Sequence, residues 1–149
     1  MAADLYGNVC DVCPFVRDFG QSDRDGDGSG DACDCEPDDP VARAAADVTG
    51  IVAEQPPSAG VARFAWPPAS GADSFAITRA TLSEVRGGIF GQCVVPSQAG
   101  AVFEDAEMPS AGEGFAYLIR GISPACGMGT LGAGRNGSER INPDPQACW

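Results

Sequence analysis

Five aspartates fall within the twelve residues DRDGDGSGDACD, positions 23–34. Counted from Asp23, carboxylates stand at places 1, 3, 5, 9 and 12: Asp23, Asp25, Asp27, Asp31 and Asp34. Gly28 and Gly30 stand at places 6 and 8. Like charges that close repel, so the run is either fully solvated or held by something positive. Calcium takes about six to eight oxygens at about 2.3–2.6 Å, and a short loop can supply them from alternating positions. Gly28 permits the sharp turn at place 6, and the Ser29 carbonyl at place 7 then points inward. Regular glycines and bracketing cysteines argue against a disordered acidic linker. The expected site is therefore Asp23, Asp25, Asp27, Ser29, Asp31 and Asp34, with Ca2+ as the ion.

An EF-hand fits poorly. Place 12 is Asp34 rather than the longer, bidentate Glu, and place 8 is Gly30, where a paired hand needs an apolar β-former. Pro14 and Gly20 before the loop, and Pro37 and Pro40 after it, exclude flanking helices. The wider stretch GNVCDVCPFVRDFGQSDRDGDGSGDACDCEPDDP resembles a thrombospondin type 3 repeat, over about residues 8–36. The residues that carry the likeness are Asp11, Cys13, Pro14, Asp18, Gln21, Asp23, Asp25, Asp27, Gly28, Gly30, Asp31, Cys33 and Asp34. Asp18 and Val12 depart from it, since the family usually has Asn at the first place and commonly at the second. The resemblance implies calcium wired along an extended, largely irregular chain. Repeats of this family often hold two ions, which makes Asp11, Asp18 and Asp38 candidates for a second. It also implies a Cys13–Cys33 disulfide, a closure that contributes about 3 kcal/mol in the chain-entropy model. A nested Cys10–Cys35 bridge fits beside it, although outer cysteines in tandem arrays bond to neighbouring repeats.

These residues belong to one end of a chain of 149 residues and net charge −12. Residues 1–47 hold twelve carboxylates against three arginines, and residues 48–149 nine against six. The first segment is thus strongly acidic and the second nearly balanced. Residues 1–36 are read as the calcium-binding repeat and 37–47 as a linker. Residues 48–149 are read as a separate domain. In it, apolar residues alternate along short stretches (VTGIVAEQ, VARFAWPP, DSFAITRATL, GIFGQCVV, AVFEDAEM and GFAYLIRGIS) divided by Gly, Pro and Ser. Phe75, Ile77 and Leu82 are expected at alternate positions of a strand, and Phe115, Tyr117 and Ile119 on one face of another. Such spacing predicts a mainly β chain whose second part is an antiparallel sandwich. That part resembles a fibronectin type III domain through Trp66-Pro67-Pro68, Phe75 and Tyr117-Leu118-Ile119-Arg120. The whole arrangement resembles modular bacterial surface proteins, where a type 3 repeat precedes a domain ending like Tyr117–Gly121, Cys126–Gly132 and Ser138–Arg140.

Trp66 and Tyr117, at alternating positions, are read as core rather than as ligand-stacking rings. The run CGMGTLGAGRNG (126–137) lacks the G-K-[ST] ending of a phosphate loop and is read as a hairpin connection. Asn136-Gly137-Ser138 is a glycosylation sequon, which suits an exposed loop. The seven cysteines are 10, 13, 33, 35, 93, 126 and 148. Without histidine, Cys/His zinc sites are excluded, and the Cys33-x-Cys35 spacing suits a four-cysteine zinc site poorly, so disulfides are expected. Cys93–Cys126 is the favoured bridge of the second part, Cys126–Cys148 the alternative, and Cys148 the expected odd cysteine.

The acidic balance argues against nucleic acid and anionic membranes as partners. No apolar run approaches the roughly 18 residues that span a membrane, and no signal peptide is visible. An exported protein of this sequence is therefore read as a mature chain or a fragment. The chain has no histidine and no lysine, which removes most bases and all Schiff-base amines. A carboxylate pair among Glu84, Glu104, Asp105 and Glu107 is the remaining catalytic option, and exposed solvation is the expectation there. The composite expectation is a non-enzymatic, extracellular or cell-surface, calcium-rigidified structural or adhesive module. Its partners would be calcium and protein, including copies of itself in a surface filament. The alternative is a glycan- or protein-recognition module on a larger secreted enzyme. That alternative needs exposed aromatics outside the core pattern, for which Phe15, Phe19, Phe90 and Trp149 are the candidates.

Overall fold

The computed structural model describes residues 10–14, 16–54, 60–132, 139–144 and 146–148. Residues 48–132 supply two antiparallel sheets. One has the order β1-β2-β5, from Val52–Glu54, Ala62–Ala65 and Val102–Asp105. The other has the order β4-β3-β6-β7, from Gln92–Gln98, Ser74–Thr81, Phe115–Ser123 and Gly127–Met128. The three-and-four split, with the third strand beside the sixth, is the strand order of a fibronectin type III-like, immunoglobulin-type β-sandwich.

Alternation explains which side chains meet between the sheets. Along β3 and β6 the inward set is Phe75 and Ile77 with Tyr117 and Ile119. Trp66, Phe75, Ile77 and Ile119 form the buried centre, with Phe64, Val95 and Phe103 packed around it. The Trp66 ring meets Phe75 edge-on at 5.3 Å, and Phe64 lies 4.6 Å from Tyr117. Trp66 is core, as its strand position implied. Tyr117 is half-buried and turns its hydroxyl to Asp105 at the sandwich rim.

The opposite face of the larger sheet is also covered. Ala76, Thr78 and Ala80 point outward yet are almost fully buried, and residues 139–142, 147 and 148 face Ala76 and Thr78 across a shared cavity. Cys148 closes a disulfide with Cys93 on β4, and Asn142 donates to the Gly91 carbonyl at 2.8 Å. The expected Cys93–Cys126 bridge is therefore corrected, as is the Cys126–Cys148 alternative. The reason is topological: β4 and β7 are opposite edges of their sheet, so Cys93 and the turn holding Cys126 lie far apart across it.

One strand expectation also changes. Leu82 does not continue β3 but begins a short helix, α1 (Leu82–Arg86). Thr81 caps it, and Glu84 returns the bond to the Thr81 amide at 2.6 Å, a complete capping box. Glu84 is thus spent on a helix end. The run from Cys126 is not itself the connection: Gly127–Met128 forms strand β7 paired with Ile122–Ser123, so the hairpin turn lies at 124–126, and residues 133–137 lie outside the described residues. The sequon lies outside the described residues.

Residues 43–47 lie against the sandwich. The Ala46 amide donates to the Ser70 carbonyl at 2.8 Å, and Ala45 is buried. A Cβ on Gly129 would sit 2.6 Å from the Ala45 carbonyl oxygen, so only glycine admits this approach. This path brings Cys35 to the β6–β7 turn, where it bonds Cys126.

Candidate metal site

The acidic segment has no regular secondary structure among its described residues. Its frame is a small set of backbone contacts around the Cys13–Cys33 disulfide. The Gly30 amide donates to the Val12 carbonyl at 3.0 Å and the Asp31 amide to the Ser22 carbonyl at 2.7 Å. Gly30 lies so close to Val12 and the Cys13 sulfur that a Cβ would fall 2.5 and 2.8 Å from them. That contact accounts for glycine at place 8. The Gln21 side chain accepts from the Val12 amide at 3.0 Å and donates to the Asp18 carbonyl at 2.6 Å. The paired cysteines are those the repeat resemblance implied. The nested Cys10–Cys35 bridge is corrected: Cys35 bonds Cys126, and Cys10, not Cys148, is the exposed free thiol.

Inside this frame the loop folds on its own aspartates. Asp23 accepts from the Gly26 amide at 2.8 Å and from the Gly28 amide at 3.0 Å. Gly28 has φ +99°, the turn expected at place 6. Asp25 accepts from the Asp27 amide at 3.1 Å, and Asp27 from the Ser29 amide at 2.6 Å. These bonds aim three carboxylates at one point: Asp23, Asp25 and Asp27 each offer an oxygen within 4.8 Å of the other two.

The remaining expected ligands divide. Asp34 accepts from the Glu36 amide at 3.0 Å and groups with the Cys35–Cys126 sulfurs, while its charge still reaches Asp25. Asp31 instead faces Ser22 Oγ at 2.7 Å and the Arg24 amide at 2.9 Å, which hold its carboxyl below the usual range. Ser29 contributes its amide to Asp27 and lines the groove facing Arg43 and Ala44.

Several oxygens in this segment lack donors. The outer oxygens of Asp25 and Asp34 are buried and accept no hydrogen bond, and so is that of Asp11. Buried carboxylate oxygens normally find partners. Loss of hydration lifts the Asp25 carboxyl above its ordinary range; the Asp27 amide opposes this, and the charges of Asp27, Asp34 and Asp23 reinforce it. The donor set is all hard oxygen, the kind calcium takes and zinc does not favour. Of the second-ion candidates, Asp11 is buried, Asp18 accepts from the Gly20 amide at 3.0 Å, and Asp38 pairs with Arg24 at 2.8 Å.

Sequence reasoning passed over Arg43. Its Nε lies 3.3 Å from Asp27 Oδ2, whose side chain is fully buried. An arginine twenty positions from Asp23 gives no local sign that it will meet the loop. The carboxylates considered for catalysis are occupied too. Asp105 is 8% exposed rather than solvated and takes Arg79 at 2.7 Å and Tyr117 at 2.9 Å. Glu107 pairs with the same arginine at 2.5 Å, and Glu104 pairs with Arg63. Of the aromatics a recognition surface would need, Phe19 is 55% exposed beneath Arg17 and Phe90 is half-buried. Phe15 and Trp149 lie outside the described residues.

No known family profile matches the chain, and no curated protein resembles it closely. Among solved structures it is similar to an Fn3-like protein from Clostridium thermocellum, at 21% identity and TM-score 0.44, over 56% of this chain and 81% of that one. It is also similar to the pectate lyase PelI of Erwinia chrysanthemi in complex with tetragalacturonic acid, at 16% identity and TM-score 0.41. That match covers 58% of this chain and 26% of the lyase. The fibronectin type III-like fold and three disulfides fit an extracellular module. No helix among the described residues is long and apolar enough to cross a membrane.

Proposed function

We propose that the chain is a calcium-binding structural module of the cell exterior, in which a thrombospondin type 3-like segment is stiffened by the ion and carried on the sandwich. The observation that supports it most is the convergence of Asp23, Asp25 and Asp27, with buried oxygens of Asp25 and Asp34 lacking donors. Asp23, Asp25, Asp27 and Asp34 would hold the ion, with the Ser29 carbonyl as the backbone ligand, and Asp31 would brace the loop through Ser22 and Arg24. The ion supplies positive charge that turns mutual repulsion into coordination, so that binding energy becomes folding energy. The segment has few apolar side chains and no regular element among its described residues, so the ion and disulfide would carry its order.

The role is non-catalytic on this reading, since a chain without histidine or lysine has its candidate acids committed to ion pairs and caps. Spacing, surface display or adhesion are the functions such a loop-and-sandwich unit would serve, and self-assembly into a surface filament is the narrower form. The test is calcium titration by calorimetry on the oxidised chain, beside the variant Asp23→Asn/Asp25→Asn, with light scattering in calcium and in chelator. Wild-type heat that vanishes in the variant supports the site, and a mass that rises with calcium supports the filament form. Absence of calcium heat, or equal heat in both proteins, refutes the reading.

A further inference from the structure

The outer face of the larger sheet carries a guanidinium that has no paired carboxylate among the described residues. Arg120 stands opposite Ala76 in the β3–β6 register, on the side away from the core. A strap of residues 139–144 and 146–148 lies on that side. Arg120 Nε is buried and has no hydrogen-bond partner. Among the described residues, one terminal nitrogen has the Met128 sulfur at 3.4 Å and the Cys148 carbonyl at 3.5 Å as partners, both weak acceptors at those distances. Among the described residues, no carboxylate lies within ion-pairing distance of it; Glu139, which is exposed, acts on it only from further away.

Beside Arg120, between sheet and strap, is a cavity of about 200 Å³. Ala76, Thr78, Leu118, Leu131, Ile141 and Ala147 make its walls. The polar groups around it are mostly satisfied. Asn142 donates to Gly91 and accepts from the Phe90 and Asp144 amides, and Arg140 donates to the Leu131 carbonyl at 3.0 Å. The charged residues lining the space are Arg120, Arg140 and Glu139, a net positive set. Arg120 is half-buried, and a buried guanidinium N–H such as its Nε normally finds an acceptor, because desolvation is costly otherwise. An apolar cavity of about 150 Å³ accommodates benzene. A cavity slightly larger than that, with one unfilled guanidinium at its wall, suits a ring-sized apolar group bearing one carboxylate.

We propose that this cavity is a binding site for a small organic monocarboxylate, with the carboxylate on Arg120 and the apolar group against Leu118, Leu131 and Ile141. The site is independent of calcium and of the acidic segment's role. The test uses the full oxidised chain and benzoate as the probe, with benzamide as its neutral counterpart and sulfate as an anion without a ring. The readout is the Arg120 Nε–H resonance in nitrogen–proton correlation spectra. Benzoate is expected to shift it saturably, while benzamide binds about ten- to a hundredfold more weakly, the usual difference for loss of a charge-assisted bond. Glu139→Gln, which removes the nearest competing carboxylate, is expected to tighten benzoate binding. Arg120→Met is expected to abolish it, with circular dichroism checking the fold. Since the benzoate–benzamide comparison uses the unmutated chain, a misfolded variant does not decide the matter. No shift with benzoate, equal shifts with benzamide, or binding of sulfate as strong as benzoate would each overturn the proposal.

Discussion

Replacing Cys35 and Cys126 by serine isolates the link between the acidic loop and the sandwich. The bridge joins positions 91 residues apart. A closed loop of about that length is worth about 4–5 kcal/mol in the chain-entropy model. The crossing Cys93–Cys148 bridge already shortens the path between the two ends in the unfolded chain, which brings the figure to about 4 kcal/mol. The other tie nearby, Arg43 to Asp27, leaves Arg43 44% exposed, and such pairs contribute about 1 kcal/mol or less. The disulfide, next to Asp34, therefore dominates the coupling. With calcium a hundredfold above its Kd, a loop that unfolds together with the sandwich adds about 2.7 kcal/mol. For a chain of this size that raises Tm by roughly 5–10 °C. The assay is thermal unfolding followed by the buried Trp66, in a Trp149→Phe background, with calcium and with chelator. The intact chain should show the calcium shift at Trp66. Cys35→Ser/Cys126→Ser should unfold lower and show almost none. An equal calcium shift in both proteins would refute the reasoning, because loop and sandwich would then be coupled by something other than the bridge.

Two further outcomes follow from the ionisations. Asp25 is held above the ordinary carboxylate range by burial and by Asp27, Asp34 and Asp23, so in chelator the loop is steadiest below that range and loosens as pH rises through the raised value. Calcium should reverse the sign, since protons then compete with the ion; hydrogen exchange at the Gly30 and Asp31 amides reads this, and the same pH trend in both buffers would count against the site. Asp105 is the opposite case: burial works against its charge, but the Glu107 amide, Arg79 and Tyr117 together hold its carboxyl low. Its stabilisation is present above the ordinary range and is lost as pH falls through the depressed value. Asp105→Ala should cost about 2–3 kcal/mol in urea unfolding, less than a fully severed buried pair because Arg79 keeps Glu107; a loss below about 0.5 kcal/mol would mean that the rim network is solvated.

What could be read in advance was what depends on neighbours along the chain. The alternation at 75, 77, 117 and 119 emerges as one face of paired strands because a strand's side chains alternate whatever lies beyond it. The aspartate spacing emerges as a convergent cluster because amides two to five residues away aim each carboxylate. Helix α1 belongs to the same legible class: Thr81 and Glu84 stand at capping-box spacing, and a reading tuned to strands carried Leu82 past it. The bridges of the second part were not legible, because they depend on strand order. Cys93 stands on one edge strand, β4, and Cys126 in the turn to the other, β7, with β3 and β6 between them, and a strap from residues 139–144 and 146–148 delivers Cys148 instead. The same strap decides what Arg120 is. On an open sheet face it would be an ordinary solvated arginine of the kind that alternation predicts. Partly covered by a segment that crosses from the far end of the chain, it becomes a half-buried cation beside a largely apolar cavity. A long-range contact thus makes a candidate site out of a residue whose local sequence announces only a strand, whereas the acidic loop announces its chemistry locally and depends on distant residues, Arg43 and Cys126, for its attachment.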